Sequence, residues 1–117
     1  MSNYDSIKAK MRAKQDGKKR KDYTCTGYIV MENQLVTYTE IVNFKGDDDK
    51  DIEYSIIGVT DDDGTVMYFK VKDEDITQDI KAKNIVKDNR YTIGLLYQVV
   101  NNIKNSSVNV IYMEKVQ

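Results

Sequence analysis

Tyr68, Lys70 and Lys72 fall at alternate positions of Thr65-Val66-Met67-Tyr68-Phe69-Lys70-Val71-Lys72, a run that reads as one β-strand. Side chains alternate across a strand, so these three share one face while Met67, Phe69 and Val71 share the other. The second set has the character of a core face. The first places one flat ring and two ammonium groups side by side toward solvent. A ring gives a nucleobase something to stack on and ammonium groups neutralise phosphates, so the pattern points to the chemistry of nucleic-acid strand recognition.

Other residues extend that chemistry. Tyr28 shares parity with Thr24 and Thr26, which turns it outward. Tyr38 shares a face with Val36, Val42 and Phe44 and fits either a core or a platform. Tyr54, grouped with Ile52 and Ile56, and Tyr97, grouped with Ile93, Leu95 and Val99, read as core rings with a wet hydroxyl. Lys45, Arg90 and Lys104 lie at expected strand ends or loops, where they can line a groove. Lys18, Lys19, Arg20 and Lys21 form a cluster of cations that together would release counterions from a phosphate backbone and make binding salt-dependent.

What the chain lacks narrows the alternatives. It has 117 residues with no His, Pro or Trp, one Cys and nine Tyr. Without His, the commonest general base near neutral pH and the commonest metal ligand are missing, which argues against an enzyme. Cys25 stands among β-branched residues and reads as a small core residue; alone, it forms no intrachain disulfide and fits a reducing compartment. Asp47-x-Asp49-x-Asp51 begins like a calcium loop, but Ile52 stands where that loop needs glycine and Gly58 where it needs a bidentate Glu. Asp61-Asp62-Asp63-Gly64 has consecutive rather than alternating acids, so both clusters read as solvated turns. No metal, cofactor or phosphate-cradling loop is expected. The apolar stretch Ile93–Tyr97 is far short of the ~20 residues of a membrane span, and the polar, basic start carries no secretory signal. The expected location is the cytoplasm, that of the host if a phage encodes the chain.

Charge divides the chain in two. Residues 1–22 hold eight Lys/Arg against three Asp, whereas residues 23–117 hold ten against sixteen Asp/Glu. Residues 6–15 have helical composition, yet Ile7 and Met11 form its only apolar i, i+4 pair, too little to hold a helix on a core. The expectation is a flexible basic arm over 1–22 and a single domain over 23–117.

Within that domain, 23–31 and 35–44 read as a hairpin around Glu32-Asn33-Gln34, with Gly27 marking a bulge or bend. Residues 46–51 form a charged turn, 52–60 a third strand with Gly58 as another bend, and Asp61–Gly64 a tight turn into the strand 65–72. Residues 73–88 contain one short helix, with Asp73, Glu74 and Asp75 as acidic starters and Ile76 and Ile80 four apart. Strands return at 90–100 and 107–115 around a longer loop at 101–106. This order predicts a mainly β protein: an OB-fold-like five-stranded barrel with one short helix, the sixth segment being an irregular extension or half of a long bent strand. A flat antiparallel sheet with a helix on one side is the alternative.

The chain resembles bacteriophage and bacterial single-stranded DNA-binding proteins of the OB-fold type. The likeness lies in Tyr68-Phe69-Lys70-Val71-Lys72, in the strand opening Val86-Lys87-Asp88-Asn89-Arg90-Tyr91-Thr92-Ile93-Gly94 that follows the helix, and in the closing hairpin through Val108-Asn109-Val110. The resemblance implies a non-enzymatic homo-oligomer that binds single-stranded DNA without sequence preference in replication or recombination, with proteins of those processes as further partners. Familiar bacterial members add a tail with an acidic tip; Glu114-Lys115-Val116-Gln117 does not match it, which implies recruitment by another route. The acidic body and the pI of 5.4 fit a second reading, a small phage interaction or inhibitor module docking on a host protein without binding nucleic acid.

Overall fold

The computed structural model describes residues 4–16, 23–100 and 102–116. They form α1 (Tyr4–Asp16), β1 (Tyr23–Lys45), β2 (Asp51–Thr60), β3 (Val66–Val71), α2 (Glu74–Lys81), β4 (Asn89–Val100) and β5 (Asn102–Lys115). The protein is mainly β. Its five strands hydrogen-bond in a ring, β1–β2–β3–β5–β4 and back to β1, antiparallel throughout except for β3 with β5.

The expected hairpin at Glu32-Asn33-Gln34 is absent. Residues 23–45 are one 23-residue strand, so the sixth extended segment is half of a long bent strand. Asn33 takes a left-handed backbone (φ 54°), and the register against β4 shifts between Met31 and Gln34. Asn tolerates that conformation, and the irregularity bends the strand instead of reversing it. The N-terminal half of β1 thereby pairs with β4 and the C-terminal half with β2. The loop expected at 101–106 is likewise shorter, because β5 starts at Asn102 and pairs with Val100.

Two apolar clusters lie on opposite sides of the sheet. Ile57, Val59, Val71, Ile93, Leu95 and Val110 share one cluster, and α2 closes it with Ile76 and Ile80. Leu96 and Ile111, the next residues along β4 and β5, belong to the other cluster with Val30 and Tyr112. Strand alternation produces this split, and a register shift between Gly94 and Leu95 lets the adjacent Ile111 and Tyr112 both join the second cluster. Asp73 caps α2 as expected, its Oδ1 accepting the backbone N–H of Asp75 at 2.9 Å and of Ile76 at 3.2 Å. Buried Ser55 and Thr77 join hydroxyls at 2.9 Å, which satisfies both inside the core.

The second cluster corrects the reading of residues 4–16. They form a helix docked on the sheet, with Ile7 5% and Met11 0% exposed against Val30, Leu96, Ile111 and Tyr112. Two apolar residues suffice because the sheet is shaped for them. A side chain at Gly94 would collide with Met11 Sδ and come within 2.9 Å of Tyr112 Cβ, so the missing Cβ is what admits Met11. Full burial of one such side chain contributes about 1.5–3 kcal/mol. The cations on α1 are also engaged: Lys10 Nζ lies 5.9 Å from the Tyr112 ring centre and the Arg12 guanidinium 5.7 Å from that of Tyr28. Lys14 Nζ meets Asp73 Oδ2 at 2.6 Å and donates to the Ile111 carbonyl at 3.0 Å. Asp73 therefore holds the start of α2 with one oxygen and the end of α1 with the other.

Candidate nucleic-acid interface

The strand pairing places the outward residues of β1, β2 and β3 in rows. Tyr38, Gly58 and Tyr68 form one row, Glu40, Ile56 and Lys70 the next, then Val42 with Tyr54 and Phe44 with Ile52. Rings dominate this face. Tyr68 is 61% exposed, Phe44 48% and Tyr38 39%, and neither described helix covers them. The Tyr38 and Tyr68 ring centres are 5.6 Å apart at 85°, and those of Phe44 and Tyr54 are 6.0 Å apart at 80°. Edge-to-face pairs of this kind hold each other upright on a surface.

Gly58 makes the first pair possible. Tyr38 and Tyr68 stand on strands separated by β2, and a side chain between them would meet Tyr38 Cβ at 2.9 Å and Tyr68 Cε1 at 3.0 Å. The expected bend at Gly58 is thus a gap in the sheet surface into which the rings lean. Lys70 lies between the two aromatic pairs, its Nζ 4.4 Å from the Tyr54 ring centre. Tyr54, Lys70 and Lys72 line a shallow groove of about 210 Å³ beside the second pair. Glu53 in that groove is paired with Lys81 at 3.0 Å, and Asp73 with Lys14.

Tyr38 donates its hydroxyl to Glu40 Oε2 at 2.9 Å. That hydrogen bond is the chief reason its phenol is raised above the usual range, so it stays protonated and donating. Beneath α1, on another part of the same outer face, burial and the hydrogen bond to Glu114 push the Tyr112 phenol up to about 12.

Of the residues expected at a site, Tyr68, Lys70, Lys72 and Tyr38 fall on this side. Tyr28 does not. It packs against α1 on the β1–β4–β5 side of the outer face, beneath Arg12. Lys45 is 68% exposed and paired with Asp51 at 3.3 Å in the β1–β2 turn. Arg90 sits at the start of β4 and donates to the Asn33 carbonyl at 3.1 Å, away from the aromatic rows. Lys18, Lys19, Arg20 and Lys21 lie outside the described residues, as do the side chains of Lys104 and Cys25.

Three assignments change. Tyr54 is not a core ring but half-exposed on the outer face. Met67 has inward parity yet is 41% exposed, because β3 pairs with β5 only at Lys70 and Val71 among the described residues and Met67 stands beyond that seam. Val36 and Tyr38 do not share a face. Val36 is fully buried, and a register shift between the two inserts the extra residue that turns Tyr38 outward. Phe44, Glu40 and Gly58 were not assigned to a site from sequence. Along 37–44 polar and apolar residues occur on both parities, so alternation could not tell the inner face from the outer.

No family model, no curated protein and no solved structure matches this chain. Among the described residues no helix is long and apolar enough to cross a membrane.

Proposed function

We propose that the outer face of β1–β2–β3 binds single-stranded nucleic acid, DNA in a replication or recombination setting, by stacking bases on its rings and pairing phosphates with lysines. The observation that carries this reading is the pair of bare aromatic couples, Tyr38/Tyr68 and Phe44/Tyr54, with Lys70 between them. Three exposed rings and a half-exposed fourth, on a chain that packs α1 over another part of the same outer face, need a ligand of similar flatness. The ring order of the strands, the parallel β3–β5 seam and the helix between β3 and β4 support an OB-type barrel, an architecture whose β2–β3 face binds oligonucleotides. The cations of residues 18–21 supply the long-range attraction that an acidic body lacks.

Titration of the intrinsic tyrosine fluorescence with oligo-dT at two salt concentrations tests the proposal. Salt-sensitive quenching is expected, and Tyr68→Ala weakens binding by about 5- to 150-fold, the equivalent of ~1–3 kcal/mol for one stacked base. Because α1 belongs to the packed structure, the basic segment is tested by Ala at Lys18, Lys19, Arg20 and Lys21, which lowers the salt slope. Absent binding, or binding indifferent to both changes, overturns the reading. The acidic turns at Asp47–Asp51 and Asp61–Asp63, exposed at opposite ends of β2, favour a second reading, a docking module for a basic host protein. Specific capture of one host protein without nucleic-acid affinity would establish that instead.

A further inference from the structure

The corner made by Tyr38 and Tyr68 is lined by more than rings. Glu40 stands in the adjacent row of the same face, two residues along β1 from Tyr38. Its Oε2 accepts the Tyr38 hydroxyl, and its Oε1 has no hydrogen-bond partner among the described residues. Nor is the charge neutralised by a described residue. Lys70 shares the row across Ile56, but its Nζ lies over the Tyr54 ring, and no ion pair to Glu40 is formed among the described residues. A half-exposed, uncompensated carboxylate is an unfavourable neighbour for phosphate, so phosphate binding gives no reason for it. Its chemistry is that of an acceptor only.

We infer that Glu40 reads the base stacked in the Tyr38/Tyr68 corner and selects bases presenting an exocyclic amino group, cytosine over thymine among the pyrimidines. Cytosine offers an N4 amino donor that a carboxylate accepts, whereas thymine offers the O4 acceptor at the same position. The one edge donor of thymine, N3–H, is flanked by two carbonyl oxygens that repel a carboxylate. The Tyr38 hydroxyl fixes the rotamer of Glu40 and leaves Oε1 free to accept. Stacking and phosphate contacts remain indifferent to sequence, so the result is a modest preference on a general affinity. The inference rests on the proposed nucleic-acid reading of this face.

The test compares oligo-dC with oligo-dT of equal length, at mildly alkaline pH where cytosine tracts stay unpaired. The full chain, Glu40→Gln and Tyr38→Phe are titrated, each checked for folding by circular dichroism. The unaltered chain is expected to bind oligo-dC on the order of fivefold more tightly, a fraction of what a full bidentate base contact gives. Glu40→Gln, which can donate to thymine O4, brings the ratio to unity or below. Tyr38→Phe keeps ring and carboxylate and keeps the ratio above one. Equal or stronger binding of oligo-dT by the unaltered chain overturns the inference. So does a ratio that Glu40→Gln leaves unchanged while strengthening both ligands, since the carboxylate would then merely repel phosphate. Failure of both oligonucleotides to bind overturns the functional reading beneath it instead.

Discussion

Tyr28 and Tyr112 lie beneath α1 on the β1–β4–β5 side of the outer face, whereas Tyr38, Phe44 and Tyr68 lie exposed and Tyr54 half-exposed on its β1–β2–β3 side. Both sides carry aromatic rings with a cation close by. On the α1 side Lys10, Arg12 and Lys14 are committed to Tyr112, Tyr28 and the Asp73/Ile111 pair of acceptors, and Met11 fills the hollow over Gly94. On the β1–β2–β3 side the glycine at the centre, Gly58, receives no residue from either described helix; Tyr38 of β1 and Tyr68 of β3 lean over it. The difference teaches that aromatic-basic composition does not locate a binding surface. What decides is whether the chain supplies its own cover.

The contrast makes the two sides answer differently to truncation. Met11→Ala carries the largest expected effect, about 2–5 kcal/mol, because it empties a fully buried site between α1 and the sheet. Chemical denaturation reads it directly, and a loss below ~0.5 kcal/mol would mean that α1 is no part of the cooperative unit.

A smaller effect follows from Tyr112. Its phenol is raised from 10.0 to about 12 in the folded protein, so between those values the unfolded chain has released a proton that the folded chain still holds. Stability contributed by this group is full below pH ~10 and is lost as pH rises toward ~12, by up to about 2 kcal/mol. Tyr112→Phe removes the titration, and the slope of unfolding free energy in that range flattens. An unchanged alkaline slope would place the cause elsewhere.

The smallest stability effect belongs to the open face. Tyr68→Ala changes the unfolding free energy by no more than about 0.5 kcal/mol, since a ring already 61% exposed gives up little burial. A cost near that of Met11→Ala would erase the distinction between a side built for packing and one left for a partner.

Much of the β framework was legible from residue pattern. The Asp61–Gly64 turn, the 52–60 strand and the Asp73-capped helix with Ile76 and Ile80 inward each announce themselves within ten or so residues, where local geometry and periodicity act. The long strand did not. Glu32-Asn33-Gln34 has the composition of a reversal, and only pairing with both β2 and β4 makes it a bend. The docking of α1 was equally hidden, since the worth of Ile7 and Met11 depends on Val30, Gly94, Leu96 and Ile111, none of them near in sequence.

The strand Thr65–Lys72 illustrates the same limit at the candidate site. Its alternation by itself determined that Tyr68 and Lys70 would point one way and Phe69 and Val71 the other, because a pleated strand has no third option. Tertiary structure decided which rings keep Tyr68 company. Tyr38 is outward only through the shift after Val36, Tyr54 only because β2 turns that parity away from the core, and Tyr28 is excluded because α1 lies over it. Periodicity fixes direction within one strand, whereas the identity of neighbours across strands is set by register and by what covers the sheet, and those are properties of the whole fold.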